Sequence, residues 1–176
     1  RGGSDVPDRT YDEHMVVERR DGSLWMLVRT KHGIGESVSP DRGVTWSAGR
    51  PDALPGPNSR FFIRRLRSGR LLLVNHAATK VRSHLTAWLS EDDGASWGTR
   101  SLLLDERPGV SYPDGVETED GRIYIIYDHN RGDRWSFGKD REILMAVFTE
   151  EDVLAGGLSD SRSRLRVVVD KIEADV

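Results

Sequence analysis

The sequence predicts an all-β fold built from repeated four-stranded antiparallel sheets, and two periodic features carry that prediction. The first is a turn motif: SPDRGVTWS, Ser39 to Ser47, returns in looser form as SEDDGASWG, Ser90 to Gly98, with Trp46 and Trp97 51 residues apart. The second is a hairpin-and-strand marker. DGSLWMLVRT (Asp21 to Thr30), SGRLLLVNHA (Ser68 to Ala77) and DGRIYIIYDH (Asp120 to His129) place Gly22, Gly69 and Gly121 at spacings of 47 and 52. Self-similarity with a period of about 20–50 residues marks a solenoid or a propeller. Three units share one plan.

Each marker opens on an Asp-Gly or Ser-Gly turn and continues as an apolar run rich in β-formers, predicting a hairpin that enters a strand buried on both faces. Within a unit the order is strand, turn, central strand, variable loop, strand, motif turn and strand, which is the plan of a propeller blade. The approximate units are 6–55, 56–108 and 109–157, followed by a strand or tail over 158–176. In the motif turn, aspartate accepts backbone N–H bonds, glycine takes positive φ and tryptophan plugs the turn from below. Asp41 and Asp92 are therefore structural clasps. The third unit lacks the motif and carries TEEDVLAGG, Thr149 to Gly157, in its place. There Thr149 caps a short helix with an acidic first turn, and Gly156 stops it. The tail, Ser161 to Val176, sets β-branched residues among charges and reads as a final strand or a covering segment.

The 176 residues suffice for one buried core. With 26 basic against 29 acidic residues, the net charge of -3 supplies no field that would hold nucleic acid by counterion release. The absence of cysteine excludes disulfides and thiolate chemistry and leaves the compartment open. No apolar run is long enough for a membrane helix, and no basic segment followed by an apolar one precedes the first strand, so a soluble chain without a membrane partner or visible signal peptide is expected. His14, His32, His84 and His129 show no ligand spacing, so neither metal nor cofactor is expected. The loop from Asp128 to Asp140 has oxygen donors without EF-hand order, and Trp135 within it suits sugar stacking or core cover.

The two motif turns resemble the Asp box of the sialidase (neuraminidase) superfamily, also called the BNR repeat. The first copy matches every defined position; the second has Ser96 in place of threonine. The resemblance implies a sialidase-like six-bladed β-propeller, of which about three four-stranded blades are present, corresponding to the C-terminal half. It further implies an exo-glycoside hydrolase that removes a terminal acidic sugar with retention. A noncatalytic BNR-repeat module that binds carbohydrate or acts as a scaffold is the alternative from another class, and a propeller glycosidase for a different sugar is a third. Carbohydrate, a terminal acidic sugar of a glycan, is the expected partner.

Sialidases use a tyrosine nucleophile activated by glutamate, because a carboxylate nucleophile would be repelled by the substrate's own charge. Three arginines hold the substrate carboxylate and a separate aspartate serves as acid/base. In YDEHMVVERRDGSLWMLVR, Tyr11 to Arg29, Glu13 resembles the activating glutamate and Arg29, sixteen residues later, the second arginine. Arg82 resembles the third, standing eight residues before the motif serine Ser90. In PGVSYPDGVETEDG, Pro108 to Gly121, Tyr112 resembles the nucleophile, although Pro113, Asp114 and Gly115 depart from the Tyr-Ser pattern usual in the family. Asp114 is a further polar group for the cleft. Spacing adds two more candidates: the seventh residue after each marker glycine is Arg29, His76 or Asp128, so an ionisable group ends the central strand of every unit and all three should meet on one rim. The first arginine and the acid/base aspartate belong to earlier blades of the family, and no segment here resembles them. A missing N-terminal half or a second copy would complete the ring, and the open flanks of a half propeller predict association, for example as a homodimer.

Overall fold

The computed structural model of the protein describes residues 2–54, 56–131 and 140–172. A short parallel ribbon joins β1 (Gly2–Ser4) to β5 (Trp46–Ala48). Three four-stranded sheets make up the rest. The first orders β2 (Arg9–Glu18), β3 (Leu24–Thr30), β4 (Gly33–Ser39) and β6 (Arg50–Pro51); the second orders β7 (Phe62–Arg65), β8 (Leu71–His76), β9 (Leu85–Ser90) and β10 (Leu102–Asp105). The third orders β11 (Val110–Glu117), β12 (Ile123–His129), β13 (Arg141–Phe148) and β14 (Arg164–Ile172). Every neighbouring pair within these sheets is antiparallel. The C-terminal segment is thus the fourth strand of its own sheet. The first strand of the second sheet, β7, adjoins the first strands of the other two, β2 and β11. That is the radial arrangement of propeller blades around an axis.

Two apolar layers fill the spaces between sheets. Val17, Trp25, Leu27 and Ile34 of the first sheet pack with Ile63, Leu71 and Leu73 of the second, while Leu72, Val74, Leu85 and Ala87 pack with Ile123, Ile125, Tyr127 and Phe148 of the third. Each buried valine, leucine, isoleucine or phenylalanine among them contributes roughly 1.5–3 kcal/mol by leaving water. Burial on both faces therefore holds for β8, all of whose residues are buried, but not for β12, where Ile126 is 41% exposed. The reason is positional. The second sheet has a neighbour on each side, whereas the outer face of the third exposes Val116, Ile126 and Ile143, and that of the first exposes Val16.

The motif turns sit at the Leu24 end of β3 and the Leu71 end of β8, since Leu24 pairs with Ser39 and Leu71 with Ser90. Asp41 accepts from the Thr45 backbone N (2.8 Å), the Thr45 hydroxyl (2.6 Å) and the Ser39 hydroxyl (2.9 Å); Asp92 repeats the set with Ser96 and Ser90. These bonds, the hydroxyl donors first, hold both carboxyls down to about 2. The tryptophans are only half-buried: Trp46 donates to the Gly43 carbonyl, while Trp97 packs against the layer beneath it. Gly94 has φ +87 and lies so near the Trp25 ring that a Cβ would come within 2.5 Å of it. The second turn thereby docks one sheet onto the next.

The third sheet replaces the turn with α1 (Glu150–Ala155), capped by Thr149 in a capping box with Asp152 and ended by Gly156 in the left-handed region. Asp152, fully buried, also accepts from the Ser159 and Asp160 backbone N–H groups and the Ser159 and Ser163 hydroxyls. Those donors outweigh burial and hold its carboxyl well below the usual range. A different local sequence supplies the same device, a carboxylate satisfied by nearby donors.

Candidate functional site

At the opposite sheet end, side chains from all three sheets meet. The Tyr112 hydroxyl donates to Glu13 Oε1 at 2.8 Å, Arg29 Nη1 donates to Glu13 Oε2 at 2.8 Å, and the same Nη1 lies 3.2 Å from the Tyr112 hydroxyl. Local irregularity makes this possible. The register of β2 on β3 slips between Arg9 and His14, and that of β11 on β12 slips between Ser111 and Asp114. Bulges of this kind re-aim side chains that a regular pleat would send elsewhere. Tyr112 has φ +56, a left-handed conformation that costs a non-glycine residue on the order of 1–3 kcal/mol and is disfavoured further before proline.

The segment holding Tyr112 is braced by the positions that spacing singled out. His76 Nε2 donates to the Val110 carbonyl at 2.8 Å; since a carbonyl only accepts, that nitrogen carries the proton. The His76 ring has no exposed surface, and burial pushes its pKa down to about 4, so it is neutral near pH 7. Asp128 accepts from the Ser111 hydroxyl at 2.5 Å and lies 3.7 Å from Arg131 Nε. The third member of the set, Arg29, contacts Tyr112 itself. All three therefore converge on residues 110–112, but His76 does so from within the core, where no ligand reaches it.

Arg82, 3% exposed, donates through Nη2 to the Asn58 carbonyl at 3.3 Å, and its guanidinium lies 5.7 Å from the Tyr112 ring centre. Asp114 pairs with Arg60 at 3.1 Å on the more exposed side of the site. Sequence reasoning missed three groups. Asn58 joins Arg29 and Arg82, Arg131 covers the Tyr112 ring at 4.0 Å, and Arg60 holds Asp114. None lies on a periodic strand position, so no spacing signal marks them. Among the described residues no cluster of histidine, aspartate and glutamate could hold a metal ion. Trp135 lies outside the described residues.

Three radial four-stranded sheets, with this cluster gathered from their strands and connecting loops, define a sialidase-like β-propeller of which about half the ring is present. The chain belongs to the BNR repeat-like domain family, whose model matches residues 9–125. Among solved structures it is similar to the intramolecular trans-sialidase of Ruminococcus gnavus in complex with oseltamivir carboxylate, at 27% identity and TM-score 0.55, over 70% of this chain and 29% of that one. It is similar in fold to NanB sialidase of Streptococcus pneumoniae (20% identity, TM-score 0.56, 74% of this chain and 22% of that one). The α-L-arabinofuranosidase of Fusarium graminearum in complex with arabinobiose shares the fold too (18%, TM-score 0.55, 82% and 48%). The chain thus spans under half the length of each. A comparison with curated proteins finds no match. No helix among the described residues is long and apolar enough to cross a membrane.

Proposed function

We propose that the chain is the C-terminal half of a sialidase-like exo-glycoside hydrolase that removes a terminal acidic sugar with retention. The observation that carries this reading is the 2.8 Å hydrogen bond from the Tyr112 hydroxyl to Glu13, two residues 99 positions apart. In this reading the phenol oxygen bonds to the anomeric carbon as the glycosidic C–O bond breaks, and the phenolic proton passes to Glu13. The leaving oxygen takes its proton from the acid/base aspartate that the family resemblance assigns to other blades. Water, giving up a proton to that same aspartate, then displaces the phenol, which recovers its proton from Glu13, and two inversions give retention. Arg29 and Arg82 hold the sugar carboxylate, which a guanidinium fork suits in geometry and charge. His76 and Asp128 support the tyrosine segment, and Asp114 is a rim group beside the cleft.

The remaining blades come from a longer chain or from a second copy. A fluorogenic sialoside tested on the completed propeller, beside Tyr112→Phe and Arg82→Ala, checks the assignment. Wild-type turnover lost in both variants supports it; turnover surviving Tyr112→Phe removes the nucleophile. A well-folded but inert wild type points to the noncatalytic carbohydrate-binding module. One observation favours a different sugar as the second reading. The Tyr-Pro-Asp-Gly sequence sets Asp114, paired with Arg60, two residues from the nucleophile, and a carboxylate there disfavours an acidic sugar. A fluorogenic α-L-arabinofuranoside in the same assay tests that reading.

A further inference from the structure

The geometry points to Asn58 as the positioning residue of this site: it selects which edge of Arg29 meets a ligand and holds Arg82 beside it. The inference rests on the anion-binding reading above. A guanidinium carries five N–H donors, grouped as a side-on fork (Nε with Nη2) and an end-on fork (Nη1 with Nη2). Asn58 fills the side-on fork alone, its Oδ1 accepting from Arg29 Nε at 2.6 Å and its carbonyl from Arg29 Nη2 at 3.1 Å. The end-on edge faces the catalytic pair, with Nη1 donating to Glu13 Oε2 at 2.8 Å and lying 3.2 Å from the Tyr112 hydroxyl, so a sugar held for attack would bring its carboxylate to this edge beside Glu13. Arg82 Nη2 donates to that same carbonyl, so one acceptor gathers two guanidiniums that would otherwise repel.

The chemistry of the acceptor matters as much as its place. Asn58 Oδ1 also accepts from the Thr10 hydroxyl at 3.2 Å, and these two donors fix the amide's orientation. Asparagine is neutral, so it orients the cations without cancelling the charge they offer to an anion. Aspartate at this position would keep both Oδ1 contacts and remove the attraction.

The test uses the completed propeller, with N-acetylneuraminate as the acidic probe and L-arabinose as the neutral one, in nuclear magnetic resonance titrations. The solvent exchange of the Arg29 Nε–H, identified by its loss in Arg29→Lys, is read alongside. Asn58→Asp should keep the thermal midpoint and the slow Nε–H exchange, yet weaken N-acetylneuraminate about tenfold or more without weakening L-arabinose. Asn58→Ala should speed Nε–H exchange. Added charge alone would weaken the acidic probe in Asn58→Asp, so Asn58→Ala decides: acidic-probe affinity and Nε–H exchange both like wild type overturn the inference. Wild-type indifference to the acidic probe would sink the acidic-sugar reading instead. The exchange rate still decides Asn58's hold on Arg29, since equal protection in Asn58→Ala refutes it.

Discussion

The two ends of the blades are held in opposite ways. At the motif-turn end, Asp41 and Asp92 find every hydrogen-bond partner within four residues of sequence. At the site end the decisive bonds join residues 16, 29, 83 and 99 positions apart. A turn that satisfies itself needs no neighbour, whereas a site assembled across three sheets exists only when the sheets are in place. Stability should therefore be concentrated in the local clasps and the interlayer packing, and activity in the long-range cluster.

The largest expected effect breaks the site and spares the clasps. Glu13→Gln keeps an oxygen for Arg29 but cannot take the phenolic proton, so turnover on a sialoside should fall about 10²–10⁴-fold with an unchanged thermal midpoint. Steady-state kinetics beside a melting curve separates the two readouts. The next acts at the other end: Asp152→Ala strips a buried acceptor from five donors and should cost about 3 kcal/mol or more in urea unfolding.

A finer comparison lies between the two motif glycines. Gly43, with φ +94, has no neighbour nearer than a Leu24 methyl at 3.7 Å from a built Cβ, whereas a Cβ at Gly94 would strike the Trp25 ring. Gly43→Ala should cost about 1 kcal/mol of backbone strain, and Gly94→Ala that plus roughly 1–3 kcal/mol of overpacking, measured by the same unfolding. Equal costs would show that the second turn does not dock the sheets.

The smallest effect is in pH dependence. Burial, aided by the Glu36 carboxylate, raises Asp52 to about 6, so its folded form holds the proton more tightly than the unfolded chain. The stabilisation is present below the ordinary value of 3.8 and is lost as pH rises through about 6. Asp52→Asn should accordingly raise the thermal midpoint by a few degrees at pH 7.5 and leave it unchanged at pH 3.5. His76 slopes the other way. Its depressed value gives stability that is present above 6.5 and lost as pH falls through about 4, a loss that His76→Gln should flatten in melts across that window.

The contrast between the two ends also explains what could be read in advance. Both turns, the α1 cap at Thr149 and its stop at Gly156 are signalled by residues only a few positions apart, and the three units by the recurrence of such short signals. The strand-end positions Arg29, His76 and Asp128 were found by counting, and their convergence on residues 110–112 follows from the radial repeat. Counting could not show that His76 faces inward, because which side of a strand is covered depends on the neighbouring sheet.

By itself the sequence determined the period, the turn chemistry and the residue types available for chemistry, since these depend on backbone preferences and bonds spanning a few residues. Only the tertiary structure decided that bulges turn Glu13 and Tyr112 toward each other, that Asn58 gathers Arg29 and Arg82, and that β14 finishes the third sheet. Each of those depends on how far one sheet is displaced against the next, a quantity that packing between layers sets and no local propensity encodes.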